Sequence, residues 1–147
     1  MPYWQLFYHF VWATAQRQPL IAGQWESQLH KAIWAKATEL GATVLAIGGT
    51  AEHVHLVASV PPKIALSTFV GQVKGNSSHF VTHVLQADSF AWQAEYAVLS
   101  FDRRSLKGIT EYVLNQKTHH TDGSVHSMLE RAGDETTAPQ NIHVATG

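Results

Sequence analysis

The sequence predicts an α+β fold, a ferredoxin-like sandwich in which helices pack on an antiparallel sheet of four to five strands. Apolar segments with strand-like and helix-like spacing follow one another in the order β-α-β-β-α-β-α. The chain has 147 residues, of which 45% are hydrophobic and 14% charged, which is enough for one folded core. We expect this domain to span residues 1–120 and a polar C-terminal tail to span 121–147.

Three strands and one helix are predicted in the first half of the chain. Residues 3–13 are apolar on both alternating faces, as in a central strand that is buried on both sides. Apolar side chains recur at helical spacing over residues 24–40, and Gly41 follows as a stop signal. Strands at 43–47 and 53–60 enclose a short Gly-Gly-Thr-Ala-Glu turn, which predicts a hairpin.

Two helices with a strand between them are predicted in the second half. After a Pro-Pro pair, apolar residues at helical spacing mark a long helix that ends near Phe80. A strand follows at 96–101, and Asp102 is a suitable N-cap for a helix from Arg103 to about His119. The apolar stripe of this last helix consists of Leu106, Ile109 and Val113.

The composition limits the classes of protein that the chain can belong to. It contains no cysteine, which excludes disulfides and thiolate zinc sites. It shows no apolar run of membrane-spanning length and no secretory signal at its start, so we expect a cytoplasmic protein that does not engage a membrane. Lysine and arginine total 10 against 11 aspartates and glutamates, a net charge of −1. Any nucleic acid should therefore be bound with modest, salt-sensitive affinity.

His53 and His55 are the first candidates for chemistry. On a strand they point to the same face, because successive side chains alternate between faces. Two imidazoles are good ligands for a divalent ion, and a further oxygen ligand would complete a site suited to magnesium or manganese. The alternative is a pair of partly exposed strand histidines without a metal, which is the commoner outcome for an isolated His-x-His.

Tyr112 and Gln116 are the second pair of candidates. They are four residues apart on the predicted last helix and therefore share one of its faces, at the edge of the apolar stripe. The Gln116 oxygen can ligate a metal, and the Tyr112 hydroxyl can attack phosphorus if a metal, base or positive group activates it. The alternative is an amphipathic tyrosine at the boundary of the core, with its hydroxyl in water.

A resemblance to a known family rests on four segments, which read EHVHLV, PPK…STFVGQVKGNSSHF, AWQAEY…S and YVLNQKTHH. In this order they resemble the single-tyrosine HUH transposases of the insertion-sequence-200 class. The resemblance covers most of the chain, from about Tyr8 to His120. The sequence departs from the family after the tryptophan, where Ala-Glu-Tyr-Ala at 94–97 replaces a Gly-Tyr-Gly-like segment. Glu95 thereby places an acid near the expected path of the DNA.

The resemblance implies a metal-dependent transposase that cleaves and rejoins single-stranded DNA. His53 and His55 match the family's HUH metal ligands, and Gln116 matches its third ligand. Tyr112 matches the nucleophile that forms a 5′-phosphotyrosine. The implied cofactor is Mg²⁺ or Mn²⁺, with no nucleotide cofactor, because the phosphotyrosine conserves the energy of the broken bond. The implied partners are single-stranded DNA with hairpin ends and a second copy of the chain in a homodimer.

Further contacts to DNA are expected from basic residues, of which Lys74 is the best candidate because it matches the family's Lys-Gly helix. The other candidates are Arg103, Arg104, Lys117, His119 and His120. The two histidines could instead join the metal shell or cap the end of the last helix. Two other functions remain open: a domesticated hairpin-binding protein that does not transpose, and an HUH relaxase or replication-initiator nuclease. The small size of the chain counts against the second of these.

Overall fold

Four antiparallel strands form one sheet in the computed structural model, which describes residues 3–123 and 129–130. The strands are β1 (Phe7–Ala13), β2 (Thr43–Gly49), β3 (His53–Ser59) and β4 (Ala97–Phe101). Their order across the sheet is β2-β3-β1-β4, so β1 and β3 are central. The predicted α+β sandwich is confirmed, as is the hairpin between β2 and β3. Its sheet has four strands in the part of the chain that is described.

The helices lie on both faces of this sheet. They are α1 (Glu26–Glu39), α2 (Leu66–His79), α3 (Leu106–Leu114) and α4 (Gln116–Asp122). A π-helical turn at Phe80–Val84 extends α2. Helices α1 and α2 pack on one face, and α3 packs on the other, across β2 and β3. None of the helices within 3–123 has the length and apolar character that crossing a bilayer would require.

The two faces of the central strands carry different kinds of side chain. The face toward α1 and α2 is apolar and buried, and it includes Phe10, Trp12, Val54, Leu56 and Ala58. The intervening residues point to the opposite face, where Val57 packs against Val113 of α3. His53 and His55 lie on this second face, because they alternate with the apolar residues of β3.

The first strand is shorter than predicted. It begins at Phe7 instead of Tyr3, and Tyr3 is 85% exposed. Phe7 is paired with Ser59 on one side and Phe101 on the other, which are the last residues of β3 and β4. The apolar residues before Phe7 thus extend beyond both neighbouring strands.

The predicted helix from Arg103 to His119 is interrupted. It begins as a 3₁₀ turn, with the Asp102 carboxylate accepting a hydrogen bond from the Arg104 N–H as the predicted N-cap. The break between α3 and α4 falls at Asn115, whose φ of −108° and ψ of 28° are not helical. Its side-chain Nδ2 donates to the Glu111 carbonyl at 2.8 Å, so the amide provides a hydrogen bond to a carbonyl in the last turn of α3.

The predicted C-terminal tail, 121–147, is described only in part. Its first residues belong to α4, which ends at Asp122. Leu129 and Glu130 are also described, whereas residues 124–128 and 131–147 lie outside the described residues, as do residues 1–2.

Candidate active site

The hairpin of β2 and β3 fixes the two histidines at one end of the sheet. His53 is paired with Ala13 and His55 with Val11, so small side chains lie beside both rings on the same face. Both histidines are buried, with exposures of 1% and 0%. A buried polar ring requires a partner, so the contacts of its nitrogens decide what the pair can do.

Each histidine has a partner at Nδ1. The Thr50 hydroxyl lies 3.0 Å from Nδ1 of His53, and Nε2 of His9 lies 2.8 Å from Nδ1 of His55. Thr50 belongs to the hairpin turn, while His9 is a fully buried residue of β1. These contacts orient both rings so that their Nε2 atoms face α3 and α4. Such orientation by a second layer of residues is typical of metal-ligating histidines.

The interruption at Asn115 places Gln116, the first residue of α4, between the helices and the sheet. Gln116 is 1% exposed, and its Oε1 lies 3.3 Å from Nε2 of His53. Its Nε2 donates to the Tyr112 carbonyl at 3.3 Å, which leaves the amide oxygen directed at the histidine. The structure therefore brings together the predicted residues His53, His55, Gln116 and Tyr112.

A change of register in β2 allows α3 to approach the sheet. The pairing of β2 with β3 shifts by one residue between Val44 and Ala46, so Gly48 pairs with His55 and shares its face. A Cβ atom at Gly48 would overlap the Val113 carbonyl oxygen of α3. The missing side chain is thus what lets the backbone of α3 lie against this strand.

The carboxylate of Glu130 lies at the centre of the site. Its Oε2 is 3.2 Å from Nε2 of His53, 3.2 Å from Nε2 of His55 and 3.3 Å from Nε2 of His120. Its Oε1 accepts a 2.5 Å hydrogen bond from the Tyr112 hydroxyl. One carboxylate therefore joins three imidazoles to the predicted nucleophile.

Burial keeps the rings of His9 and His55 neutral beside an ionised acid. Burial and, to a smaller extent, neighbouring His55 together lower the pKa of His9 to about 3, against the opposing effect of Glu130. Burial also lowers the pKa of His55, against the opposing effect of Glu130. Burial alone would raise the pKa of Glu130, but hydrogen bonds from His53, His55 and Tyr112 outweigh it and hold that pKa well below its usual range. Neutral imidazoles beside a carboxylate are a suitable ligand set for a divalent ion.

The two histidines of α4 both lie near the site. The His120 ring is 4.9 Å from the His53 ring, between centroids, and the His119 ring stacks on Tyr112 at 4.4 Å. His53, His120 and Glu130 form a group that could hold a metal ion. His120 was predicted as a DNA contact or helix cap, with the metal shell as a further option, and its geometry favours that option.

The other predicted DNA contacts lie elsewhere and remain predictions. Lys74 donates from Nζ to the carbonyls of residues 93, 94 and 95, at 2.6, 3.1 and 3.0 Å. Lys117 pairs with Glu26 at 2.5 Å and donates to the carbonyl of Gly49. Arg104 pairs with Asp102, and Arg103 is exposed. Lys74 thus binds the loop before β4, and Lys117 joins α4 to the start of α1 and the end of β2.

Three residues of the site were not predicted: His9, Thr50 and Glu130. A histidine inside an otherwise apolar strand was a signal for His9, since a buried imidazole needs a polar partner. Thr50 could have been recognised as a turn residue three positions before His53. Glu130 carried no such signal, because it lies in a polar segment without periodicity.

A buried histidine pair on the sheet thus lies against an amide oxygen and a tyrosine of the helices that cover it. The chain belongs to the IS200-like transposase family, whose family model matches residues 2–116. ISDra2 transposase TnpA of Deinococcus radiodurans is 26% identical over 119 residues, covering 77% of this chain and 85% of that protein. The transposase for insertion sequence element IS200 of Salmonella typhimurium is 28% identical over 75 residues, which are 51% of this chain and 49% of that protein.

Two solved structures share the fold. A crystal structure of a Deinococcus radiodurans protein assigned as a transposase superposes with a TM-score of 0.61 at 24% identity, covering 79% of this chain and 95% of that one. A REP-associated tyrosine transposase bound to a REP hairpin superposes with a TM-score of 0.60 at 16% identity, covering 95% of this chain and 96% of that one. At these identities the likeness concerns the fold.

Proposed function

We propose that this chain is a metal-dependent transposase that cleaves and rejoins single-stranded DNA through a 5′-phosphotyrosine on Tyr112. The observation that carries the proposal is the convergence of the Tyr112 hydroxyl with the Nε2 atoms of His53 and His55 around one carboxylate. Membership of the IS200-like transposase family supports the reaction class.

The residues present fit a divalent metal ion. Their donor atoms are imidazole nitrogens and an amide oxygen, which suit manganese well and magnesium through the oxygen. The Nε2 atoms of His53 and His55 both face the site, and their Nδ1 atoms are already engaged by Thr50 and His9. We assign His53, His55 and Gln116 as the residues that hold the ion. Once bound, the metal would polarise the scissile phosphate and stabilise the departing oxygen.

The side chains supply the covalent chemistry. The Tyr112 oxygen attacks phosphorus as its phenolic proton passes to solvent water, and a bond forms between that oxygen and phosphorus. The bond from phosphorus to the 3′ oxygen breaks, and this oxygen takes up a proton to leave as a hydroxyl. Rejoining is the reverse reaction with a different 3′-hydroxyl, so it consumes no nucleotide cofactor.

Hairpin-ended single-stranded DNA is the substrate that we propose. One solved structure of the same fold is a tyrosine transposase bound to a REP hairpin. The near-neutral charge of this chain implies that shape and base contacts, more than phosphate attraction, would hold the DNA. A homodimer also remains a proposal, and sedimentation at micromolar concentration would test it.

A covalent-adduct assay tests the proposed function. Labelled single-stranded DNA carrying the sequences that flank the gene is incubated with protein and Mn²⁺, then separated on a denaturing gel. We expect an adduct with the wild type and none with Tyr112→Phe, because the phenyl ring lacks the attacking oxygen. Tyr3→Phe is the matched control, since Tyr3 is exposed and should leave the adduct unchanged. An adduct of undiminished yield in Tyr112→Phe would refute the assignment.

A second candidate is a domesticated protein that binds hairpins without cleaving them. It is favoured by the net charge of −1 and by the carboxylate of Glu130, which lies among the residues that a scissile phosphate would contact. Hairpin binding in Mn²⁺ without any adduct would support this second function.

A further inference from the structure

Glu130 uses both of its carboxylate oxygens inside the site. Oε2 contacts the Nε2 atoms of His53, His55 and His120, and Oε1 accepts from Tyr112. The Glu130 side chain is only 14% exposed, so these contacts replace most of its hydration. A buried carboxylate needs either cationic partners or a metal ion to be stable in this position.

The spacing of the donor atoms matches that of ligands around one ion. Oε2 of Glu130 lies 3.2–3.3 Å from the three imidazole nitrogens, and Gln116 Oε1 lies 3.3 Å from Nε2 of His53. Two ligands that each bind an ion at about 2.0–2.3 Å are separated by roughly 2.8–3.3 Å at right angles, and by more at wider angles. The carboxylate and the imidazoles are therefore already placed as neighbours in one coordination shell.

The set of donor atoms also favours a metal ion at this position. Oε2 of Glu130 faces three imidazole nitrogens at 3.2–3.3 Å, and a hydrogen bond from an uncharged imidazole does not neutralise the charge of a carboxylate. A divalent cation between these groups would neutralise it, and imidazoles with a carboxylate are a set that binds manganese and other transition metals readily.

We propose that Glu130 is a displaceable ligand of this metal site. In the DNA-free protein, its carboxylate occupies the position that a phosphate of the substrate takes when DNA is bound. This inference rests on the proposed function and deepens it. A phosphate whose phosphorus is to be attacked by Tyr112 must lie beside the Tyr112 hydroxyl and the histidine pair, where both oxygens of Glu130 now lie. Two anions do not occupy one position, so binding of DNA exchanges the carboxylate for the phosphate.

Binding of Mn²⁺ alone tests whether Glu130 is a ligand. The signal of free Mn²⁺ in electron paramagnetic resonance gives its affinity for the wild type, Glu130→Ala and Glu130→Gln without DNA. We expect both variants to lose about tenfold or more in affinity, because the charged ligand is gone. Glu39→Ala is the matched control, since Glu39 is exposed, has the same charge and pairs with Lys36. Wild-type affinity in both Glu130 variants would overturn the inference.

His53→Ala separates this inference from the proposed function. If His53→Ala loses Mn²⁺ and Glu130→Ala does not, the metal site stands and only the role of Glu130 fails. If His53→Ala also binds Mn²⁺ like the wild type, the proposed metal site itself fails. Circular dichroism of each variant verifies that a lost affinity is not a lost fold.

Displacement by DNA is tested with a labelled single-stranded oligonucleotide from the flanking sequence. Its affinity is measured by fluorescence anisotropy with and without saturating Mn²⁺, using Tyr112→Phe protein with and without Glu130→Ala so that no cleavage intervenes. We expect Mn²⁺ to strengthen binding several-fold more when Glu130 is absent, because no carboxylate has to leave. An equal effect of Mn²⁺ in both proteins, or no effect in either, would overturn the displacement.

Discussion

At the scale of single residues, the hydroxyl of Thr50 is the simplest contact that orients a proposed ligand. It lies 3.0 Å from Nδ1 of His53, on the side of the ring opposite the site. A partner at this nitrogen fixes which ring nitrogen carries the proton and which way the ring faces. The orientation of the proposed metal ligands thus depends in part on the hairpin turn, which contains none of them.

Thr50→Val should weaken Mn²⁺ binding by about tenfold while leaving the fold intact, because valine keeps the shape and removes the hydroxyl. Thr50→Ser is the matched control and should bind Mn²⁺ like the wild type, since serine retains the hydroxyl. Calorimetric titration with Mn²⁺ compares the three proteins. Equal affinities for valine and serine at this position would show that the hydroxyl does not orient His53.

Some residues of the site could be predicted from the sequence, and others could not. The alternation of β3 was enough to place His53 and His55 on one face, and helical spacing was enough to join Tyr112 to Gln116. Neither pattern could show that His9 lies behind His55, because that contact depends on the register of β1 against β3. Glu130 is 75 residues from His55, and no local pattern records a contact of that range.

At the scale of elements, the contact of α3 with β2 positions the proposed nucleophile. Gly48 lies on the α3 face only because the register of β2 shifts between Val44 and Ala46. Its lack of a side chain lets the Val113 carbonyl approach the strand. The depth at which Tyr112 and Gln116 lie over the histidines therefore depends on this one glycine.

Gly48→Ala should destabilise the protein by about 1–3 kcal/mol, since the added methyl group overlaps backbone and forces α3 outward. Gly71→Ala in α2 is the matched control: a Cβ there meets nothing within 4 Å, so the change should stabilise by about 0.4–1 kcal/mol. Urea unfolding measures both. A neutral effect of Gly48→Ala would show that α3 can shift without cost.

Element types were easier to predict than their boundaries. The hydrophobic periods predicted the four strands and the helices α1, α2 and α3 in the correct order. They did not predict the break at Asn115. The apolar residues around it keep their helical spacing whether the asparagine side chain ends the helix by binding the Glu111 carbonyl or the helix continues. They also did not give the register shift in β2, which leaves the composition of the strand unchanged.

At the scale of the whole molecule, buried neutral histidines make the fold sensitive to acid. Burial lowers the pKa of His9 to about 3, with His55 adding to this and Glu130 opposing it. Burial also lowers the pKa of His30, where Glu26 opposes and Lys117 adds to the effect. Each ring takes up a proton near its ordinary pKa of 6.5 when the chain unfolds. The unfolded state thus binds more protons once the pH falls below that value.

The free energy of unfolding should therefore decrease as the pH is lowered below about 6.5, by up to about 1.4 kcal/mol per pH unit for each histidine that stays neutral in the fold, and for His9 this effect extends toward pH 3. Glu130 acts in the same direction below its ordinary pKa of 4.5, because its folded pKa is lowered. Urea titrations at pH 7, 6, 5 and 4 measure the slope without metal. His9→Phe should flatten it, and an unchanged slope in that variant would exclude His9 as its source.

The strand order described above also bears on protein synthesis. Both strands that pair with β3, β1 and β2, precede it in the chain, so its ladder partners have all been translated by Ser59. Tyr112 is translated 53 residues after Ser59 (112 − 59), and β4 is translated before Tyr112. The ribosome thus synthesises the histidine pair and its supporting strands before Tyr112, the proposed nucleophile.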